Sequence, residues 1–216
     1  VPNHEAVTIF VDVKDEFEAG HTAQVLDDVL SGVGRSAIFT PADWLARCPG
    51  ARTLRAAAAP PCKAPSLDDL RGKFVFALTG GTACGAAKLA KYVEGGAEKR
   101  IGFVAPETTG ACSISEIAAS HPHVVFLNFA AGVTASAGDA VRARYLTRVY
   151  DLNDEASFVR AKDIGAHFLG TNKVNVGVDP WANTAQANGF PFRCLGPCTT
   201  PREPVDLFGL EATGGD

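Results

Sequence analysis

The sequence has 216 residues, 46% hydrophobic and 20% charged, which suits one globular domain with a full core and leaves little room for two. A formal charge of −4 without a basic cluster argues against a nucleic-acid surface, and no partner of that kind is expected. No run approaches 18 consecutive apolar residues, so no transmembrane segment is expected either.

In chain order, short apolar strand-like segments alternate with amphipathic or alanine-rich stretches. Strands are predicted at 6–14, 74–78, 101–105, 124–129, 146–151 and 167–172. Helices are predicted at 22–34, 83–94, 113–120, 135–144 and 155–165, with shorter turns at 41–48 and 67–71. Thr40 before Pro41 reads as an N-cap followed by proline at the first helical position. Ser66 is a second candidate cap, over the acidic "LDDL". Gly34 and Gly165 follow predicted helices, where a left-handed C-terminal residue is expected. "LTGGTACG" at 78–85 opens a helix but has neither the dinucleotide nor the Walker spacing, so it reads as a tight strand-to-helix turn. After Asn172 the periodicity stops, and 176–216 reads as an irregular tail carrying prolines and aromatics.

Alternation of this kind predicts an α/β fold with parallel strands and crossover helices, without separating a barrel from an open doubly wound sheet. The six cysteines favour disulfides in an oxidising compartment over buried free thiols or a zinc site, since no CxxC pair occurs and the histidines are scattered. Cys48 and Cys62 bracket a loop that a disulfide would staple, and Cys194 and Cys198 lie across a Gly-Pro turn. The chain begins at Val1 and contains no methionine, which suggests a processed or trimmed product and allows a secreted origin.

In parallel β/α proteins the site lies at the C-terminal ends of the strands. The first strand reads T-I-F-V-D-V-K-D, with Thr8, Phe10, Asp12 and Lys14 on one face. A carboxylate at Asp12 is a candidate ligand for a hard cation such as calcium; a structural ion pair with Lys14 is the competing reading. The fifth strand reads L-T-R-V-Y-D, with Leu146, Arg148 and Tyr150 on one face. Arginine suits bidentate recognition of phosphate, and tyrosine stacks on a ring or donates a hydrogen bond. His167 falls at the wrong end of its strand for catalysis, whereas Thr171 and Asn172 fall at the correct end.

Three segments in order carry a family resemblance: "VTIFVDVKD", "FTPADW" with "SLDDLRGKFVFAL", and "LTRVYDLNDEASFVRAKDIGAHFLGTNKVN". They resemble the third strand, the following loop with the fourth strand, and the seventh to eighth strands of the calcium-dependent phosphatidylinositol-specific phospholipases C. The resemblance implies an incomplete TIM-type (β/α) barrel, with six of eight strands, over residues 1–175. It implies a calcium ligand at Asp12, aspartate standing where glutamate is more usual, and substrate-binding residues at Arg148, Tyr150 and Lys14. The catalytic histidines and further calcium ligands of that family come from strands one and two, which have no counterpart here. Ala77 and Leu78 stand where some relatives carry a phosphate-binding lysine, and Asn172 stands where aspartate is common.

The implied function is part of a phosphoric diester hydrolase acting on a phosphoinositide-like diester, with no catalytic residue of its own. An upstream polypeptide or partner chain is expected to supply strands one and two, because six parallel strands cannot close an eight-stranded barrel. The alternative is a non-catalytic barrel serving as a binding or structural module of an extracellular assembly.

Overall fold

The computed structural model describes residues 6–81, 84, 87–173 and 177–183. Seven parallel strands, β1 (Val7–Asp12), β2 (Phe74–Thr79), β3 (Phe103–Val104), β4 (Glu107–Thr108), β5 (Phe126–Ala130), β6 (Leu146–Tyr150) and β7 (Phe168–Leu169), form two sheets, β1-β2-β3 and β4-β5-β6-β7. Within each sheet every strand pairs with its neighbour in sequence, without the order reversal of a doubly wound sheet. This consecutive order is that of a barrel, here incomplete.

The strand expected at 101–105 is present as β3 alone, followed by a second short piece, β4, that was not expected, and Pro106 is the reason. Ala105 N donates to Leu78 O (2.8 Å), but Pro106 has no N–H to continue that ladder. Its carbonyl instead accepts from Asn128 N (3.0 Å), so the backbone passes from pairing with β2 to pairing with β5. The two sheets are thereby stitched at one residue, and six positions around the barrel are filled.

Helices α1 (Ala23–Leu30), α4 (Ala87–Tyr92), α5 (Ile114–Ser120), α6 (Thr134–Arg142) and α7 (Glu155–Asp163) cover the outer face. Outward strand residues Phe76, Leu78, Val104, Leu127, Phe129 and Val149 pack with helix residues such as Leu89, Tyr92, Ile117, Ala137, Ala140 and Ala161. Inward residues make a second core in which Phe10, Phe103, Phe126 and Phe168 meet ring to ring. Helices α2 (Pro41–Ala46) and α3 (Leu54–Ala58) add Trp44, Leu54, Ala57 and Ala58 to that core, alongside Phe39. Helix α3 was not expected; "LRAAA" becomes helical because Thr53 accepts from Ala56 N (3.2 Å) and Leu54 and Ala57 are buried.

Local signals hold at several ends. Thr40 caps α2 in a capping box with Asp43 and Pro41 in the first turn. Segment 67–71 forms turns, with Ser66 Oγ accepting from Asp69 N (3.2 Å). Ser113 caps α5 with Glu116, and Asp154 caps α7 by accepting from Ser157 N (2.9 Å). Hydrogen bonds from Ser113 and Ser157 hold the carboxyls of Glu116 and Asp154 below their ordinary values of 4.5 and 3.8. A depressed carboxyl adds stability above its unfolded value and loses it as pH falls through the folded one. An acid titration of thermal midpoint is therefore expected to lose its steepest portion below about pH 4 in Asp154→Asn and Glu116→Gln variants.

Cys48–Cys62 is a disulfide, as expected, and closes the loop between α2 and β2. Cys84 pairs with Cys112, a pairing not anticipated, which joins the turn after β2 to the loop after β4. Cys194 and Cys198 lie outside the described residues. Beyond β7, Trp181 packs edge-on against Phe158 of α7, with ring centroids 5.5 Å apart. No described helix is long and apolar enough to cross a membrane.

Candidate functional site

A cleft of about 550 Å³ opens at the C-terminal ends of the strands. Its floor and walls come from β1 (Phe10, Asp12), β2 (Thr79), β4 (Glu107), β5 (Asn128) and β6 (Arg148, Tyr150), with Lys14 and Lys88 at the rim. The strand register explains the grouping. Asp12 stands beside Thr79, and Glu107, Asn128 and Arg148 stand side by side across three strands. Alternation points each of these inward, while Leu127 and Val149 point out to the helices.

Arg148 is the central cation. Its Nη1 donates to Asn128 Oδ1 (3.1 Å), and its guanidinium carbon lies 4.8 Å from the centroid of the Phe10 ring and 5.3 Å from that of Tyr150. Among the described residues it takes part in no ion pair. Burial pulls its pKa down, and Tyr150, Asp151 and Asp12 act in the opposite direction. Gly170, at the end of the last strand, leaves it room: a Cβ there would lie 3.3 Å from Arg148 Nη2. The arginine is thus held by a neutral amide and two rings, with its charge available to an anion entering the cleft.

Tyr150 donates its hydroxyl to Glu107 Oε1. Burial first, and this bond second, hold the phenol well above its ordinary range, so it remains a protonated donor. The chain turns at Asp151, which has φ +59°, a left-handed conformation that aspartate tolerates better than most residues.

On the opposite wall, Asp12 is ion-paired with Lys14, and both side chains are more than half exposed. The end of β1 is fixed from two directions. Lys88, from α4, donates to Lys14 O (2.8 Å) and Val13 O (3.3 Å) and lies 3.8 Å from Glu16. Gly80, with φ +107°, lets β2's exit turn lie against this segment; a Cβ there would fall 2.2 Å from Val13 O and 3.0 Å from Asp12 Oδ1. Gly80→Ala is expected to cost about 1–3 kcal/mol and to displace the end of β1. Thermal unfolding, together with the loss of any ligand binding at the cleft, would measure it.

The structure brings Asp12, Lys14, Arg148 and Tyr150 to one cleft. Thr171 and Asn172 do not line it; Asn172 N bonds Asn153 Oδ1 (3.0 Å) and Lys173 N bonds Thr171 Oγ1 (3.0 Å). His167 is at the opposite end of β7, its Nδ1 accepting from Thr147 N (3.2 Å). Sequence reading passed over Glu107, Asn128 and Lys88. Asn128 carried a signal, as the lone amide in the apolar run "VVFLNFA". Glu107 was concealed by Pro106, which reads as a strand end. Lys88 lies within a helix and reaches the site only through packing.

Calcium requires six to eight oxygen ligands. This chain offers Asp12, whose carboxylate is held by Lys14, and among the described residues no three His, Cys, Asp or Glu side chains converge on a possible metal position. The residues present do not by themselves fit a calcium site.

No family model and no curated protein matches the sequence. Solved structures do. A calcium-dependent phosphoinositol-specific phospholipase C from a Gram-negative bacterium, Pseudomonas sp., in an apo form, superposes with a TM-score of 0.66 at 23% identity, over 79% of this chain and 59% of that one. The myoinositol complex of the Pseudomonas enzyme gives a TM-score of 0.65 at the same identity and coverage. A calcium-dependent phosphatidylinositol-specific phospholipase C from Streptomyces antibioticus gives 0.60 at 20% identity, over 79% of this chain and 65% of that one. The chain thus spans about three fifths of the Pseudomonas structures it matches. Its fold is an incomplete barrel that superposes on the barrels of these enzymes, and the likeness is one of fold.

Proposed function

We propose that this chain is the larger, substrate-holding part of a phosphoric diester hydrolase resembling calcium-dependent phosphatidylinositol-specific phospholipase C. The observation that carries the reading is Arg148: a half-buried guanidinium at the strand ends, in no ion pair among the described residues, beside the protonated phenol of Tyr150. Arginine beside an aromatic donor suits a phosphate ester attached to a hydroxylated ring. Arg148 takes the phosphate, Tyr150 packs against the ring, and Lys14 supports the anionic headgroup from the facing wall. Asp12 contributes one carboxylate to a calcium site whose other ligands come from two further strands, not found among the described residues, together with the general acid and base. The substrate is a phosphoinositide-like diester. Two disulfides suit an oxidising, extracellular setting.

A second reading, a non-catalytic binding or structural module, is favoured by the Asp12–Lys14 ion pair, which engages the one carboxylate assigned to the metal. Titration of myo-inositol 1-phosphate into the intact protein tests the shared premise. Saturable binding that chloride competes only weakly supports the cleft as a headgroup site; absence of binding removes the substrate-holding reading and leaves a structural module.

A further inference from the structure

Glu107 lines the cleft, yet recognition of a phosphate by Arg148 makes no use of its charge. Its backbone is fixed from two sides: its N–H donates to Gly81 O (2.6 Å), and the preceding carbonyl, Pro106 O, accepts from Asn128 N (3.0 Å). One carboxylate oxygen, Oε1, accepts from the Tyr150 hydroxyl. The other, Oε2, meets no donor and no cation among the described residues. Half of the carboxylate's accepting capacity is therefore left for a donor that enters the cleft.

Asn128 is the neighbour of Glu107 in the register, one strand spacing of about 4.8 Å away and on the same inward face. It is 4% exposed. Its Oδ1 accepts from Arg148 Nη1 (3.1 Å), and because a guanidinium only donates, the amide turns its oxygen that way and keeps Nδ2 as a donor. Nδ2 meets no acceptor among the described residues. An unused acceptor and an unused donor thus stand on adjacent strands. A hydroxyl accepts and donates at once, whereas an ionised phosphate oxygen only accepts, so the pair matches a hydroxyl. The cations of the cleft are placed elsewhere. Arg148 lies one strand beyond Asn128, Lys14 is paired with Asp12, and Lys88 is held by the carbonyls of Val13 and Lys14.

We infer that Glu107 determines specificity in the cleft: with Asn128 it receives a ring hydroxyl of the headgroup, and its charge restricts the cleft to headgroups whose only phosphate is the one on Arg148. This inference rests on the proposed reading of the cleft as a headgroup site. Two strand spacings, about 10 Å between backbones, separate Arg148 from Glu107, so a ring whose phosphate sits on the arginine turns its far edge toward the carboxylate. A hydroxyl on that edge donates to Oε2. A second phosphate there meets a like charge in a cleft partly shielded from water, which costs affinity about tenfold or more.

Calorimetric titration of three ring phosphates into the protein at fixed ionic strength tests this: myo-inositol 1-phosphate, myo-inositol 1,4-bisphosphate, and cyclohexyl phosphate, which lacks hydroxyls. The parent protein should bind the inositol monophosphate more tightly than the bisphosphate by about tenfold or more. Glu107→Gln keeps a side-chain oxygen for the Tyr150 hydroxyl and removes the charge. It should weaken the inositol monophosphate roughly 5- to 15-fold, the difference between a charged and a neutral acceptor. Cyclohexyl phosphate should not weaken, and the bisphosphate should come within about threefold of the monophosphate. Equal or tighter binding of the bisphosphate by the parent protein overturns the inference. So does a Glu107→Gln variant that weakens cyclohexyl phosphate as much as the inositol monophosphate, the mark of a merely structural role. Either result leaves the headgroup reading standing. Failure of the parent protein to bind any of the three removes the headgroup reading itself, and the assignment of Glu107 falls with it.

Discussion

Asp27→Ala is expected to destabilise the protein by about 3–5 kcal/mol, the cost of leaving a buried cation and its donors without their partner. Asp27 is 3% exposed. Its carboxylate ties α1 to α4 through Tyr92 and to the start of β3 through Arg100 and Ile101 N. The Tyr92 hydroxyl also accepts from Gly102 N (2.9 Å), so one carboxylate and one phenol order three backbone segments. Burial and the neighbouring carboxylate push the Tyr92 phenol far above its ordinary value, and it stays a donor throughout the stability range of a protein. Tyr92→Phe removes one member and leaves the ion pair, with an expected loss of about 1–3 kcal/mol. Urea unfolding at neutral pH separates the two: a smaller effect for Asp27→Ala than for Tyr92→Phe would mean that the carboxylate is not the hub.

Arg148→Ala is expected to weaken binding of myo-inositol 1-phosphate by about 1.5–3 kcal/mol, roughly 10- to 150-fold, the range of a hydrogen bond to a charged group. Arg148→Lys should recover only part of this. An ammonium keeps the charge but loses the planar face lying between Phe10 and Tyr150 and the fork that meets two phosphate oxygens. The folded state should tolerate both changes, because the arginine's direct hydrogen-bond partner is the neutral Asn128. Calorimetric titration, with circular dichroism to check the fold, measures the effect. Equal affinity in the parent protein and Arg148→Ala would place the anion elsewhere.

Period-two alternation in "TIFVD" and "LTRVY" was enough to place Asp12, Arg148 and Tyr150 at strand ends on an inward face. Their convergence required the register, which brings β4, β5 and β6 together and is not written in any one segment. The barrel order followed from resemblance, since alternation of strands and helices is equally compatible with an open sheet. What remained illegible depended on contacts between segments distant in sequence. Pro106 carries the backbone from one partner strand to another, so Glu107 lay beyond the apparent end of its strand. Lys88 meets the carbonyls of Val13 and Lys14 across 75 and 74 residues of chain, respectively. The Cys84–Cys112 pairing spans two loops that become neighbours only once β2 and β4 are aligned in the barrel.

Phosphodiester cleavage at this cleft is the proposed activity. Phosphorus NMR of phosphatidylinositol vesicles incubated with the protein, with and without Arg148→Ala, reads it. Conversion of the lipid phosphodiester signal to a water-soluble phosphorylated headgroup is expected, with Arg148→Ala slower by at least tenfold. An unchanged lipid signal alongside Arg148-dependent headgroup binding would contradict catalysis and leave a binding module.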